Sequence, residues 1–157
     1  MRKVICILLT IFLYSCVQSP ENIFNKILQT AKIEPNLNRA VLYSIDLNGS
    51  SGNKFYDQLA KSGSKSNAYL LSLIENENPT EYCILNITGL LYDGDIAIKL
   101  LLDINNITDE DFNNFLIHPS IKDNYNSAAD WYTWLHESQI HRLWVKDRIC
   151  EILQNNR

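Results

Sequence analysis

Sequences typical of helix N-termini recur along this chain and constrain its fold more than any other feature. They lie at 19–21, 78–81, 108–111 and 127–130, and each places a Ser, Thr or Asn before an acidic residue. Such residues satisfy the free backbone N–H groups at the start of a helix. Gly (5) and Pro (4) are scarce among 157 residues, which argues against a fold made of many tight turns. The sequence predicts an all-α fold, a compact bundle or irregular stack of about six to eight short helices.

Apolar residues recur with helical spacing after several of these caps. The clearest amphipathic pattern is Ile96, Ala97, Leu100, Leu101 and Ile104, with Lys99 and Asp103 as a pair four residues apart on the other side. A helical pattern also runs from 127 to 153, and the polar patch at 136–139 within it predicts a kink or a break.

Three segments fit strands as well as helices. The segment 37–45 continues the helical period, although the stretch 40–47 is compatible with a strand. The alternative fold class is α+β, with 69–74 and 82–87 as strands around a turn at 76–79. The capping residues at 78–81 favour a helix for the very apolar stretch 82–91.

The N-terminus has the composition of a secretory signal. Arg2 and Lys3 precede an apolar run at 4–14 that is too short to span a bilayer. The sequence Leu-Tyr-Ser-Cys at 13–16 then resembles the lipobox of bacterial lipoproteins. The resemblance implies that the Cys16 thiol is diacylglycerated, that the chain is cut before it, and that the new amine is acylated. The alternative is plain secretion with a cut near Ser15.

This resemblance sets the predicted domain organisation. It comprises a signal peptide at 1–15, a lipidated N-terminus and short tether at 16–20, and a single helical domain at 21–157. Removing Arg2 and Lys3 from 14 basic residues leaves 12 against 18 acidic ones, so the mature chain carries a net charge of −6. We expect an envelope protein anchored by lipid. Val17, rather than Asp, follows the box, which by resemblance implies the outer membrane facing the periplasm in a Gram-negative cell.

Two further cysteines remain in the mature chain, Cys83 and Cys150. In an oxidising compartment they can form a disulfide that closes a long loop, for which chain entropy gives about 4 kcal/mol. Each also lies in an apolar stretch, so burial of both as small hydrophobic side chains is an equal alternative.

Sequence motifs for chemistry are few. His136 and His141 are five residues apart, which on a regular helix separates them by roughly 140° and prevents both from binding one metal ion. Asp93 and Asp95 flank Gly94, and we expect this turn to start a helix with one aspartate as its cap. No lysine or arginine cluster suits nucleic acid, and nothing in the sequence calls for a cofactor.

The densest aromatic cluster is Trp131, Tyr132 and Trp134. Most such clusters belong to a core, but Trp and Tyr are also favoured at interface hot spots, so these residues are candidates for partner binding. The sequence therefore predicts a lipid-anchored envelope protein that binds another protein, for example an immunity or inhibitor lipoprotein against a basic toxin or cell-wall hydrolase. A small envelope hydrolase using carboxylates and His118, His136 or His141 is the alternative, and a structural envelope protein is a third.

Overall fold

The computed structural model describes residues 18–29, 32–34, 39–41, 54–80, 82–83 and 90–155. Seven helices account for most of these residues and confirm the all-α prediction. They are α1 (Pro20–Gln29), α2 (Lys54–Lys61), α3 (Ser64–Leu73), α4 (Asp93–Ile104), α5 (Asp109–Asp111), α6 (Ala128–His136) and α7 (Gln139–Asn155). A π-helical turn (Phe112–Leu116) continues directly from α5.

In the described part of the chain, three very short strands accompany the helices: β1 (Lys32–Glu34), β2 (Arg39–Val41) and β3 (Tyr82–Cys83). The strand β2 pairs antiparallel with β1 and parallel with β3. The helix predicted over 37–45 is therefore wrong at 39–41, where the backbone pairs with strands from elsewhere in the chain. The remainder of the proposed strand 82–87 lies outside the described residues, and 69–73 belongs to α3.

The core forms around α4. This helix packs against α2 and α3, and α1 packs on both of those helices. Nearly all of the first two turns of α4 are inaccessible to solvent, through Ile96, Ala97, Ile98, Leu100 and Leu101. Burying a side chain such as Leu or Ile stabilises the fold by roughly 1.5–3 kcal/mol. The amphipathic pattern predicted a half-buried helix, whereas α4 is surrounded on almost every side.

Three of the predicted helix caps are confirmed. The hydroxyl of Ser19 accepts from the backbone N–H of Asn22 at the start of α1. Thr108 accepts from the N–H of Asp111 over 3.1 Å. The hydroxyl of Ser127 caps α6. These bonds satisfy donors that the helix itself leaves free.

The helix predicted after Asn78 does not begin there. Pro79 forms an antiparallel bridge with Tyr92, and both the N–H and the hydroxyl of Thr80 donate to the carbonyl of Leu91. The N–H of Asp93 donates back to the carbonyl of Asn78. The backbone groups that would start a helix are thus bonded to the segment before α4.

The predicted break in the C-terminal helical pattern is confirmed. The helix α6 ends at His136 and α7 begins at Gln139. The helix α7 packs against α6 and against the π-helical turn. Within the described residues, no helix has the length and apolarity needed to cross a membrane. Cys16 and the rest of the predicted signal lie outside the described residues.

Candidate functional site

The aromatic residues predicted to bind a partner are buried. Trp131, Tyr132 and Trp134 all belong to the core, and their helix α6 packs against α7. The indole N–H of Trp131 donates to the carbonyl of Leu116 over 2.8 Å, and its ring packs 5.2 Å from that of Phe112. The assignment of these three residues to a binding surface is therefore wrong, and the alternative that they form core is correct.

A buried carboxylate joins three helices. Asp95, on α4, is fully buried. Its Oδ1 accepts from Nη2 of Arg142 on α7 over 2.8 Å. Its Oδ2 accepts from the backbone N–H of Tyr92 over 2.8 Å and bonds Nε2 of His136 on α6 over 2.7 Å. Tyr92, and not one of the two aspartates as predicted, is the N-cap residue of α4, and Asp95 bonds it from the third helical position. We call Asp95, His136 and Arg142 the buried triad.

Close packing of the backbone brings the buried triad together. A Cβ on Gly94 would lie 2.4 Å from the carbonyl oxygen of Ile74 and 2.9 Å from Nη1 of Arg142. That Nη1 in turn donates to the Ile74 carbonyl over 3.2 Å. Glu77 Oε1 lies 3.6 Å from Nε of Arg142, so the guanidinium has a carboxylate on two sides. The absence of a side chain at 94 is what allows α4 to approach the turn after α3.

His136 is the one residue of the buried triad that reaches solvent: its side chain is 28% exposed, whereas those of Asp95 and Arg142 are fully buried. Its ring packs against Tyr92 at 4.8 Å. Because Nε2 bonds a carboxylate, the neutral ring carries its proton there and Nδ1 holds the lone pair. A histidine supported in this way can act as a general base. The bonds from Arg142, His136 and the Tyr92 N–H to the Asp95 carboxylate also compensate its buried negative charge, which is a purely structural role.

Burial raises the pKa of the Tyr132 phenol well above its ordinary value, and the negative charges of Asp95 and Asp103 raise it further, while Arg142 acts in the opposite direction. The phenol therefore stays protonated at neutral pH. Tyr132 adds no charge to the buried triad.

The other two histidines lie in a separate aromatic cluster with Trp134 and Trp144. The rings of His141 and Trp134 stack at 4.2 Å, and His118 contacts Trp144 at 4.9 Å. His141 Nδ1 donates to the carbonyl of Trp134, and His118 Nδ1 accepts from the N–H of Ser120. Among the described residues, no group of three or more His, Cys, Asp or Glu side chains is arranged to hold a metal ion.

An exposed apolar surface lies on the first two turns of α7. Ile140 is 72% exposed and Leu143 is 43% exposed; we call this pair the α7 patch. The opposite face of the helix is buried through Arg142, Val145, Ile149 and Ile152. Sequence reasoning missed the patch because it searched for aromatic residues. The signal was present, since Ile140 and Leu143 lie off the stripe that continues through 145, 149 and 152.

Cys150 is a half-buried free thiol. Burial raises its pKa, and the charge of Asp147 adds to that effect, so the thiol is less reactive than an exposed one. The unpaired Cys150 thiol fits the alternative of separately buried cysteines; the side chain of Cys83 lies outside the described residues.

Comparison of the chain with protein-family models, with curated proteins and with solved structures finds no match.

Proposed function

We propose that this protein is a lipid-anchored component of a bacterial cell envelope that binds another protein through the α7 patch. The observation that carries the proposal is the exposure of two large aliphatic side chains, Ile140 and Leu143, next to each other on a helix whose opposite face is core. Exposed apolar side chains that lie together on a polar surface are typical of contact sites between proteins.

The buried face of α7 makes the α7 patch a rigid surface. Arg142, Val145 and Ile149 hold the helix in the core on one side. Ser138 precedes the helix and its hydroxyl accepts from the N–H of Ile140 over 3.2 Å. A partner therefore meets a preformed surface, which lowers the entropy cost of binding.

The lipobox-like sequence ending at Cys16 supports the anchoring part of the proposal. An acylated N-terminus keeps a globular domain at the membrane without a spanning helix. An immunity or inhibitor lipoprotein, which occupies a site on a toxin or cell-wall hydrolase, is the concrete form that fits an anchored binding domain.

Affinity capture of the full-length protein from its native cells tests the proposal. Replacing Leu143 by Asp should lower recovery of a stoichiometric protein partner by about thirtyfold, corresponding to about 2 kcal/mol at an interface hot spot. Leu90→Asp is the matched control, because Leu90 is 45% exposed and lies outside α7. Equal recovery with both variants would contradict binding through the α7 patch.

The hydrogen bond between His136 and the buried Asp95 favours a second function, an envelope hydrolase in which His136 is the general base. Incubating the protein with purified peptidoglycan and assaying for soluble products tests this function. We expect His136→Gln to lower any such activity by at least about a hundredfold, whereas His118→Gln should leave it unchanged. Absence of release by the wild-type protein would exclude hydrolysis of this substrate.

A further inference from the structure

The unpaired charged side chains near the α7 patch are negative. Asp147 is exposed and follows Leu143 by four residues and Ile140 by seven, so the three side chains lie along one stripe of the helix. Glu137 is exposed as well and precedes Ile140 by three residues. The α7 patch therefore has a carboxylate near each end.

The cations of α7 are already paired with other carboxylates. Arg142 bonds Asp95 inside the core, and Lys146 bonds Glu75. Arg148 bonds Glu151 over 2.6 Å and its guanidinium lies over the ring of Trp144. Within the described part of the chain, no such ion pair involves Asp147 or Glu137.

On the basis of the proposed function, we infer that the partner presents an amphipathic segment whose apolar side chains cover Ile140 and Leu143 and whose flanking lysine or arginine side chains meet Asp147 and Glu137. At a rise of about 1.5 Å per residue, Ile140 and Asp147 are separated by roughly 10 Å along the helix axis. A basic side chain about two helical turns from the apolar anchor of the partner matches this spacing.

Charge also argues against two other occupants of the α7 patch. A second copy of the chain would bring acidic residues against acidic residues, since its own patch carries Asp147 and Glu137. An anionic lipid surface would be repelled by the same carboxylates and by the net charge of −6 that the chain carries once residues 1–15 are removed. A basic amphipathic segment is attracted by both the apolar and the acidic groups.

Two synthetic amphipathic helical peptides with the same leucine face serve as probes of the purified full-length protein. One carries lysine on its polar face and the other carries glutamate. By isothermal titration calorimetry we expect the Leu/Lys peptide to bind at least about tenfold more tightly than the Leu/Glu peptide. Leu143→Ser should weaken its binding about tenfold, and Asp147→Asn about threefold with a smaller salt dependence. Leu90→Ser is the matched control and should leave both affinities unchanged.

The remaining outcomes overturn the inference. Equal binding of both peptides, weakened by Leu143→Ser, would overturn the basic partner while leaving protein binding at the α7 patch in place. Binding of neither peptide would overturn it too, and the capture experiment with Leu143→Asp would then decide the proposed function separately. Dimerisation in sedimentation velocity, or binding to phosphatidylglycerol vesicles, that Leu143→Ser abolishes would identify a second copy or a membrane as the occupant.

Discussion

At the scale of single residues, Gly94 is a position where an added methyl group should be costly. Helix propensity alone favours Ala over Gly by about 1 kcal/mol. In this fold the added Cβ would lie 2.4 Å from the Ile74 carbonyl oxygen, so α4 must move away from the turn after α3. We expect Gly94→Ala to lower the free energy of unfolding by about 3 kcal/mol, measured by urea denaturation. An increase in stability would contradict the close approach.

Asp103 should make stability depend on pH with the opposite sign to most carboxylates. Burial raises its pKa above 3.8, while the nearby Lys99 lowers it in part. Because the folded state then holds the proton more tightly than the unfolded state, this residue costs stability as the pH rises from below 3.8 through the raised pKa. The stability of Asp103→Asn relative to the wild type should therefore increase between about pH 3 and pH 7, measured by urea unfolding.

Asp130 is the matched control for this measurement. Hydrogen bonds from the Asn126 N–H and the Ser127 hydroxyl lower its pKa. The stabilisation that the ionised Asp130 gives to the folded state is therefore present above its unfolded pKa and is lost as the pH falls. Asp130→Asn should lose stability relative to the wild type over the same rise in pH. Parallel trends for the two variants would contradict the burial effect at Asp103.

Sequence reasoning recovered local roles of residues and missed distant ones. The prediction that the turn at 93–95 starts a helix is confirmed, but the N-cap residue is Tyr92 rather than an aspartate, and Asp95 bonds its N–H from the third helical position. The same carboxylate also bonds Arg142, 47 residues away. No local pattern marks that pairing, because it depends on how α4 and α7 cross in the folded chain.

At the scale of elements, the cap at Ser127 should contribute measurable stability to α6. Its hydroxyl accepts from the Asp130 N–H and donates to the Asp130 carboxylate. We expect Ser127→Ala to cost about 1 kcal/mol in thermal or urea unfolding. Ser64→Ala is the control, since Ser64 lies inside the first turn of α3 and is exposed. A cost at Ser64 equal to that at Ser127 would argue against capping as the cause.

Elements whose signals are local could be predicted, and elements that depend on pairing could not. The caps at Thr108 and Ser127 and the break after His136 follow from adjacent residues. The segment after Asn78 has equally good capping residues, yet Thr80 bonds Leu91 instead. Pairing with a segment more than ten residues away outweighs the local preference for a helix after Asn78. The same holds for β2, which pairs with β3.

At the scale of the whole molecule, the proposed anchoring depends on one thiol. Cys16→Ser should abolish incorporation of a labelled fatty acid in growing cells, because the resemblance to a lipobox implies that the acyl chains are attached through this residue. Cys6→Ser is the matched control, since Cys6 lies within the predicted signal and should leave labelling unchanged. Label retained by Cys16→Ser would contradict the resemblance to a lipobox.

The bond between Asp95 and Arg142 also bears on how an exported chain folds. A chain that leaves a translocation channel with its N-terminus first presents Asp95 well before the guanidinium that neutralises it has emerged. Burying a carboxylate without a cation costs several kcal/mol, so we expect the core around α4 to close only once α7 is available. If the protein is secreted as we propose, this late pairing would disfavour premature closure of that core before translocation is nearly finished.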